Sequence, residues 1–169
     1  GGSLISVKDD DAALAYHNPS LLNPLMHQQI SFSPSLYFAG SNHGYVSYAH
    51  HHEKSKTTFS GGMQYASYGQ FTAADELGNI NGTFKASELA MNVGAGRQYT
   101  DKLSYGANVK LIYSNFESYN SFGFALDVGG TYQDTAKKMS VALVFRNIGM
   151  QLATYREGLR EPIPFDVQL

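Results

Sequence analysis

Residues 103–115, LSYGANVKLIYSN, decide the fold, because apolar and polar side chains alternate along them with a period of two. The apolar face carries Leu103, Tyr105, Ala107, Val109, Leu111 and Tyr113, and the polar face carries Ser104, Gly106, Asn108, Lys110 and Ser114. Ile112 is the one exception. This alternation predicts a β-strand whose two faces meet different surroundings.

The same alternation recurs on both sides of this segment. It predicts strands over 87–99, 122–132 and 139–147, weaker strands over 28–39, 44–52 and 57–68, and an eighth strand that begins at Phe165. Pro34 lies inside the first strand and predicts a bulge or a sheet edge there, because proline cannot donate a ladder hydrogen bond. The chain is therefore predicted to be all-β from residue 28 onward.

The first 27 residues follow a different pattern. Asp9, Asp10 and Asp11 precede the apolar run 12–16, and an aspartate before such a run caps a short helix. The prolines of the following HNPSLLNP stretch are expected to end that helix. The sequence thus predicts two parts, a helical or plug segment over 1–27 and a strand domain over 28–169.

The connections between the predicted strands alternate in length. Short connections are expected at 53–56, 100–102 and 134–138, longer ones at 70–83, 115–121 and 149–164, with 40–43 as a short exception. Outer-membrane barrels have short periplasmic turns and long extracellular loops. The alternation therefore favours an antiparallel transmembrane β-barrel with the N-terminus on the periplasmic side.

Two hairpin registers can be predicted from the apolar pattern. A turn at 100–102 places Ala95 opposite Ala107, Val93 opposite Val109, and Met91 opposite Leu111. A connection symmetric about Ser118 and Tyr119 places Val109 opposite Val128, Leu111 opposite Leu126, Tyr105 opposite Tyr132, and Lys110 opposite Asp127. A lipid-facing surface is then expected to comprise Leu89, Met91, Val93, Val109, Leu111, Leu126, Val128, Val141 and Leu143.

The composition argues against several classes of function. The chain has 12 basic and 14 acidic residues, a net charge of -2, no cysteine and only 15% charged residues, where about 25% is usual for soluble domains. Nothing here points to a nucleic-acid partner, a disulfide scaffold or a thiolate metal site. No apolar run reaches the roughly 18 residues of a membrane helix. A soluble β-sandwich, whose strands also alternate, is the rival fold.

Several polar groups have residue types that occur in metal or catalytic sites. Consecutive residues of a strand point to opposite faces, so His50, His51 and His52 cannot all bind one metal, and the aspartates 9–11 lack a calcium-loop pattern. Asn108, Lys110, Asp127 and Arg146 are expected to form a polar cluster inside the barrel. No nucleophile with a base and no phosphate-binding glycine motif accompanies them. The sequence therefore predicts a non-enzymatic protein with no cofactor and no metal.

The long connection 70–83 is the candidate partner-docking loop, because unusually long loops tend to carry function. Its candidate contact residues are Asp75, Glu76, Leu77, Asn79 and Asn81. The pairs Gly78-Asn79 and Asn81-Gly82 are turn signals that can make the loop rigid. A solvated loop with two tight turns is the alternative.

Several stretches resemble known outer-membrane proteins. Residues 11–22, DAALAYHNPSLL, resemble the opening of FadL-like outer-membrane proteins. Residues 65–88, YASYGQFTAADELGNINGTFKASE, resemble the PorQ family of the type IX secretion system of Bacteroidota. So do GANVKLIYSNFESYNSFGFALDVGGTY at 106–132, VFRNIGMQL at 144–152 and EPIPFDVQL at 161–169. The resemblance covers nearly the whole chain from Asp9.

This resemblance implies a location and a role. It implies an outer-membrane barrel of 14 strands, of which this chain would be the N-terminal part, cut short at its C-terminal end. It further implies an anchor for the surface attachment complex, with a PorZ-like surface protein as partner and, through it, PorU-like and PorV-like proteins. The alternative is FadL-like uptake of hydrophobic small molecules. The predicted inward residues are polar, which favours the structural anchor.

Overall fold

One antiparallel sheet of eight strands accounts for most of the chain. The computed structural model describes residues 6–37, 40–75, 77–117, 119–153 and 163–169. The strands are β1 Gln29–Leu36, β2 Asn42–His52, β3 Thr57–Ala74, β4 Ile80–Gln98, β5 Leu103–Phe116, β6 Tyr119–Asp134, β7 Met139–Ala153 and β8 Asp166–Gln168. Each strand pairs with its neighbour in sequence, in the order β1 to β8. The all-β prediction is confirmed.

The predicted short connections are confirmed. Residues Glu53–Ser55 form a 3₁₀ turn that ends at Lys56, whose φ is +50°. The β4–β5 turn closes with the backbone of Tyr99 donating to the carbonyl of Leu103 over 2.8 Å. Pro34 lies in the edge strand β1, opposite Gly44 in an unbroken register, so the edge alternative holds and the bulge does not.

Two of the predicted long loops are wrong. Pairing of β3 with β4 continues to Ala73 opposite Gly82 and Ala74 opposite Ile80, so 75–79 alone connect the two strands. β5 and β6 pair as far as Phe116 opposite Tyr119, which leaves 117–118 as the turn. Cross-strand contacts extend the β3–β4 ladder, because the rings of Phe71 and Phe84 stack with their centroids 5.2 Å apart. For the third predicted loop, β7 runs to Ala153, and 154–162 lie outside the described residues.

One predicted register is confirmed and the other is shifted. The β4–β5 hairpin pairs Ala95 with Ala107, Val93 with Val109, and Met91 with Leu111, as predicted. The β5–β6 hairpin instead pairs Val109 with Leu126, Leu111 with Phe124, Tyr105 with Gly130, and Asn108 with Asp127. The turn is centred one residue earlier than predicted, which moves the register by two residues. A shift of two leaves every side chain on its predicted face.

Three short 3₁₀ turns, Ala12–Tyr16, Pro19–Leu21 and Pro24–Met26, precede the sheet and are called the plug. The side chains of Asp11, Asn18 and Asn23 cap them. The capped turn over 12–16 is as predicted. The prolines do not simply end it, because each begins a new turn, where its fixed φ suits the first helical position. Among the described residues no helix is long and apolar enough to cross a membrane.

The plug lies on one face of the sheet, here called the inner face. It contacts strands from β1 to β6, and a small apolar cluster joins it to β2 through Ala12, Ala15, Leu22, Met26 and Ala49. Along β5 every second residue from Ser104 to Lys110 is buried on the inner face. The intervening residues from Leu103 to Leu111 are exposed on the opposite, outer face.

Candidate functional site

The buried Asn-Pro-Ser segment fixes the plug to β6. The Asn18 side-chain oxygen accepts hydrogen bonds from the Ser20 backbone N–H at 3.0 Å and the Ser20 hydroxyl at 2.6 Å. The Asn18 amide then donates to the Thr131 hydroxyl over 3.0 Å. Ser20 and Thr131 hydroxyls also lie 2.7 Å apart. Asparagine is suited to this position because it can cap a turn with its oxygen and donate with its amide at the same time.

A second contact ties the first turn of the plug to β5. The side-chain amide of Asn108 donates to the carbonyl of Ala15 over 2.5 Å. Both residues are buried. The bond satisfies a carbonyl of a short turn that would otherwise be isolated from water. Asn108 was predicted to belong to a polar cluster, and its role here is to hold the plug.

Three inward glycines provide the space in which the plug lies. They are Gly96 of β4, Gly106 of β5 and Gly129 of β6, here called the glycine recess. A Cβ atom at Gly106 would collide with the Pro19 carbonyl, and one at Gly129 would collide with the Asn18 side-chain oxygen. A Cβ at Gly96 would come within 2.5 Å of the Pro19 carbonyl oxygen. Any larger residue at these positions would force the plug away from the sheet.

A buried ion pair lies beside the plug. The Lys110 Nζ is 2.5 Å from Asp127 Oδ2, and the two side chains are 2% and 0% exposed. The pair is diagonal, because Asp127 lies opposite Asn108 in register. The other carboxylate oxygen accepts the backbone N–H of Asn147 at 2.8 Å. That N–H is available because the β6–β7 register shifts there and Asn147 has a φ of +57°.

Tyr16 of the plug covers the ion pair. Lys110 Nζ lies 4.5 Å from the centroid of the Tyr16 ring, at cation–π distance. The Tyr16 ring also meets Tyr45 edge to face at 5.3 Å. Burial raises the pKa of Tyr16 to about 12, so its hydroxyl stays neutral. Burial, with smaller effects of the Arg146 and Lys110 charges, lowers the pKa of the neighbouring His17.

Arg146 does not join the ion pair. It lies on β7 opposite Asp166 of β8. Its Nε is buried without a hydrogen-bond partner. Within the described ranges Arg146 makes no ion pair with any carboxylate. The predicted cluster of four residues is thus a plug anchor (Asn108), an ion pair (Lys110 and Asp127) and an unpaired cation.

Three of the predicted docking residues, Asp75, Leu77 and Asn79, lie in the β3–β4 turn. Asp75 accepts hydrogen bonds from the backbone N–H of Leu77 at 3.0 Å and of Asn79 at 2.8 Å, and from the Asn79 amide at 2.9 Å. The Asn79 side chain contributes most to lowering the pKa of Asp75. Leu77 is 89% exposed. Asn81 lies in β4, and Glu76 lies outside the described residues. The turn is therefore short and internally bonded.

The histidine run alternates between the two faces of β2. His51 is buried, and its Nδ1 lies 2.9 Å from the Thr58 hydroxyl. His50 and His52 are exposed, with His50 against the ring of His27 and His52 against Ser55. In the part of the chain that the structure describes, no group of three or more His, Asp or Glu residues could hold a metal ion.

Sequence reasoning missed most residues that hold the plug. Tyr16, Asn18, Ser20 and Thr131 carry the contacts, together with the glycine recess. The available signal was the position of the glycines, since Gly96, Gly106 and Gly129 occupy polar-face positions of three consecutive predicted strands. Comparison with protein-family models, curated proteins and solved structures finds no match for this chain. The functional argument therefore depends on its residues and geometry.

Proposed function

We propose that the sheet is part of a transmembrane β-barrel in a bacterial outer membrane, with its outer face against lipid and the plug inside the lumen. The observation that carries this proposal is that the sheet exposes apolar side chains on its outer face and buries polar ones on its inner face. Val93 and Val109 of the outer face are 68% and 50% exposed, whereas Lys110 and Asp127 on the inner face are at most 2% exposed. Lipid would cover such an outer face, and a polar interior is usual for outer-membrane barrels.

Aromatic residues on the outer face support the same arrangement. Tyr99, Tyr105 and Tyr132 are exposed beside the short turns. Tyr113 is exposed towards the opposite end of β5, and Tyr65 is exposed at the same level of the sheet, because both lie opposite Leu89 in register. Tyr105 and Tyr113 are eight residues apart on β5, which is about 26 Å along a strand. The apolar band of a barrel is about 25 Å tall and is bordered by aromatic girdles. In a soluble β-sandwich a second sheet would have to cover this surface.

The proposed role is structural and non-enzymatic. The resemblance to the PorQ family supports a subunit of the type IX secretion system, in a barrel of 14 strands, that anchors the surface attachment complex. A PorZ-like surface protein would be the direct partner, with PorU-like and PorV-like proteins reached through it. The exposed β3–β4 turn is the candidate contact, because its internal hydrogen bonds reduce the entropy cost of binding.

The test replaces residues 75–79 of the full-length protein with a Gly-Ser linker of equal length. The matched control makes the same replacement at 135–138, a turn at the opposite end of the strands. Barrel level in the outer membrane and retention of the PorZ-like protein on the cell surface are both measured. Lost retention at normal barrel level, in the first variant only, is the expected result. Equal retention in both variants would exclude the 75–79 turn as the contact.

One observation favours a second candidate, the FadL-like uptake of hydrophobic molecules. The rings of Phe71, Phe84 and Phe116 form a row with centroid spacings of 5.2 and 5.3 Å. Phe84 lies two residues before the inward, buried Ala86, which places the row on the inner face. An apolar row there could hold an acyl chain. Loss of uptake of a labelled fatty acid in F84N, with F59N on the outer face as control, would favour this candidate.

A further inference from the structure

An open cavity of about 380 Å³ lies on the inner face beside Tyr16 of the plug. Its floor follows one row of the ladder, in which Ala66 of β3 lies between His43 of β2 and Glu88 of β4. Ala66 is small and buried, so the longer side chains of His43 and Glu88 flank a gap. A water molecule occupies about 30 Å³ in the liquid, and the cavity therefore has room for a small solute.

The charge of the wall has one sign. Among the described residues that line the cavity, Glu88 is the only acidic one, and none is a lysine or an arginine. Within the described ranges no cation pairs with Glu88, whereas the nearby Lys110 is held by Asp127. A cleft lined by charge of one sign attracts solutes of the opposite sign. The cavity therefore favours a cation.

The polar groups of the wall also offer hydrogen-bond acceptors. The Tyr68 hydroxyl donates to Glu88 Oε2 over 3.1 Å, and a carboxylate has further lone pairs to accept other donors. The side-chain amide of Asn147 donates to the carbonyl of Pro164 over 3.1 Å, so its oxygen is the end that a further donor can reach. A primary ammonium group has three N–H donors and no acceptor. It matches this set of acceptors.

Aromatic rings form another part of the wall. Tyr16, His43 and Tyr68 all line the cavity, and the rings of His43 and Tyr68 meet edge to face with their centroids 5.9 Å apart. The face of an aromatic ring attracts an organic cation, and its carbon atoms contact the apolar part of such a molecule. A carboxylate combined with aromatic rings suits an organic ammonium ion better than a hydrated inorganic cation.

We propose that this cavity binds the ammonium group of a small organic amine, with Glu88 as its ionic partner and Tyr68 as its aromatic contact. Asn147 accepts a hydrogen bond from the same group. The proposal goes beyond the barrel function and holds whether or not the outer face meets lipid.

The test titrates the full-length protein in detergent at pH 8 with methylammonium chloride. The ¹³C signal of the Glu88 carboxylate reports the site, and calorimetry gives the affinity. Methylammonium should move the Glu88 signal to saturation, whereas sodium acetate at equal ionic strength should not. E88Q should weaken binding about fivefold or more, because the ion pair is lost. E117Q removes an exposed carboxylate from the β5–β6 turn and should bind as the wild type does.

Two further variants test the aromatic contact. Y68F keeps the ring and should bind nearly as the wild type does, whereas Y68L removes the ring and should bind more weakly. Equal affinity in Y68F and Y68L would contradict the role of Tyr68.

Three outcomes would overturn the proposal as a whole. They are wild-type affinity in E88Q, a Glu88 signal that sodium acetate moves as far as methylammonium does, and a Glu88 signal that shows an ion pair with a cation of the full-length protein before any amine is added. If E88Q does not fold, the comparison of methylammonium with sodium acetate on the wild-type protein decides.

Discussion

At the residue scale, single atoms of the inner face decide whether the plug can lie on the sheet. Gly106 and Gly130 are both strand glycines, but they lie on opposite faces. A Cβ at Gly106 would collide with the Pro19 backbone, whereas one at Gly130 would meet only the Ser104 carbonyl at 3.9 Å. The two positions therefore separate the need for space under the plug from the general effect of an added methyl group.

We expect G106A to destabilise the full-length protein by about 1 to 3 kcal/mol, because the plug backbone must move to admit the methyl group. G130A should be nearly neutral. The measurements are the free energy of unfolding in urea and the rate at which a protease cuts within residues 12–26. Equal stability and equal cleavage in the two variants would contradict the close packing of Pro19 on β5.

We predict that replacing one residue of the Lys110–Asp127 ion pair destabilises the protein, whereas replacing both is largely tolerated. K110M should cost about 3 to 5 kcal/mol in the free energy of unfolding, because a buried carboxylate loses its cation. The double variant K110M/D127L should recover much of that loss, since no buried charge remains. A double variant as unstable as K110M alone would show that the pair has another structural role, and urea unfolding of the three proteins decides.

The lowered pKa of His17 predicts that the stability of the folded protein depends on pH. Its pKa in the folded protein is lowered, first by burial, whereas an unfolded histidine titrates near about 6.5. Below that pH the unfolded chain binds more protons than the folded one, so stability falls as pH falls. H17Q should reduce the loss of stability between pH 7 and pH 5, measured by thermal unfolding of the full-length protein. An identical pH profile in H17Q and the wild type would contradict this assignment.

At the scale of the strand, alternation along β5 places an apolar and a polar surface on the two sides of one element. Both surfaces arise because successive side chains of a strand point to opposite faces. The outer residues of β5 continue the apolar surface of β4 and β6, because each hairpin pairs apolar with apolar across the ladder. A strand with this pattern is stable only where its outer face meets an apolar medium or another apolar surface.

The substitution V109R tests whether the outer face contacts lipid. A cation near the middle of a bilayer costs about 2 to 4 kcal/mol in a barrel, so V109R should lower the amount of heat-resistant, folded protein in the outer membrane. V7R makes the same change at an exposed residue outside the strands and should have no effect. Wild-type assembly of V109R would count against lipid on the outer face.

At the scale of the whole molecule, the plug and the sheet form one unit. Contacts between them join residues that are far apart in sequence, such as Asn18 with Thr131 and Asn108 with Ala15. Tyr16 of the plug covers the ion pair and also lines an open cavity with Gln64 and Glu88. The proposed anchoring role uses the exposed β3–β4 turn, so it can be tested without changing the plug.

The sequence by itself predicted the strands, the face of each side chain and the register of the β4–β5 hairpin. These features follow from a pattern that repeats every two residues, and a tight turn fixes how one strand pairs with the next. It also predicted a polar cluster, because Asn108, Lys110, Asp127 and Arg146 occupy polar-face positions of three predicted strands. It did not predict the ends of the strands near 70–83 and 115–121, where cross-strand pairs such as Phe71 with Phe84 outweigh the local turn signals.

Only the tertiary structure decided what the inner face does. Distant segments must meet before the plug can lie in the glycine recess and before Lys110 can pair diagonally with Asp127. The same holds for Arg146, which makes no ion pair among the described residues. The hydrogen bonds that fix the plug join residues 93 and 113 positions apart. No local periodicity encodes such contacts, because they arise from the shape and donor pattern of two surfaces that are each formed separately along the chain.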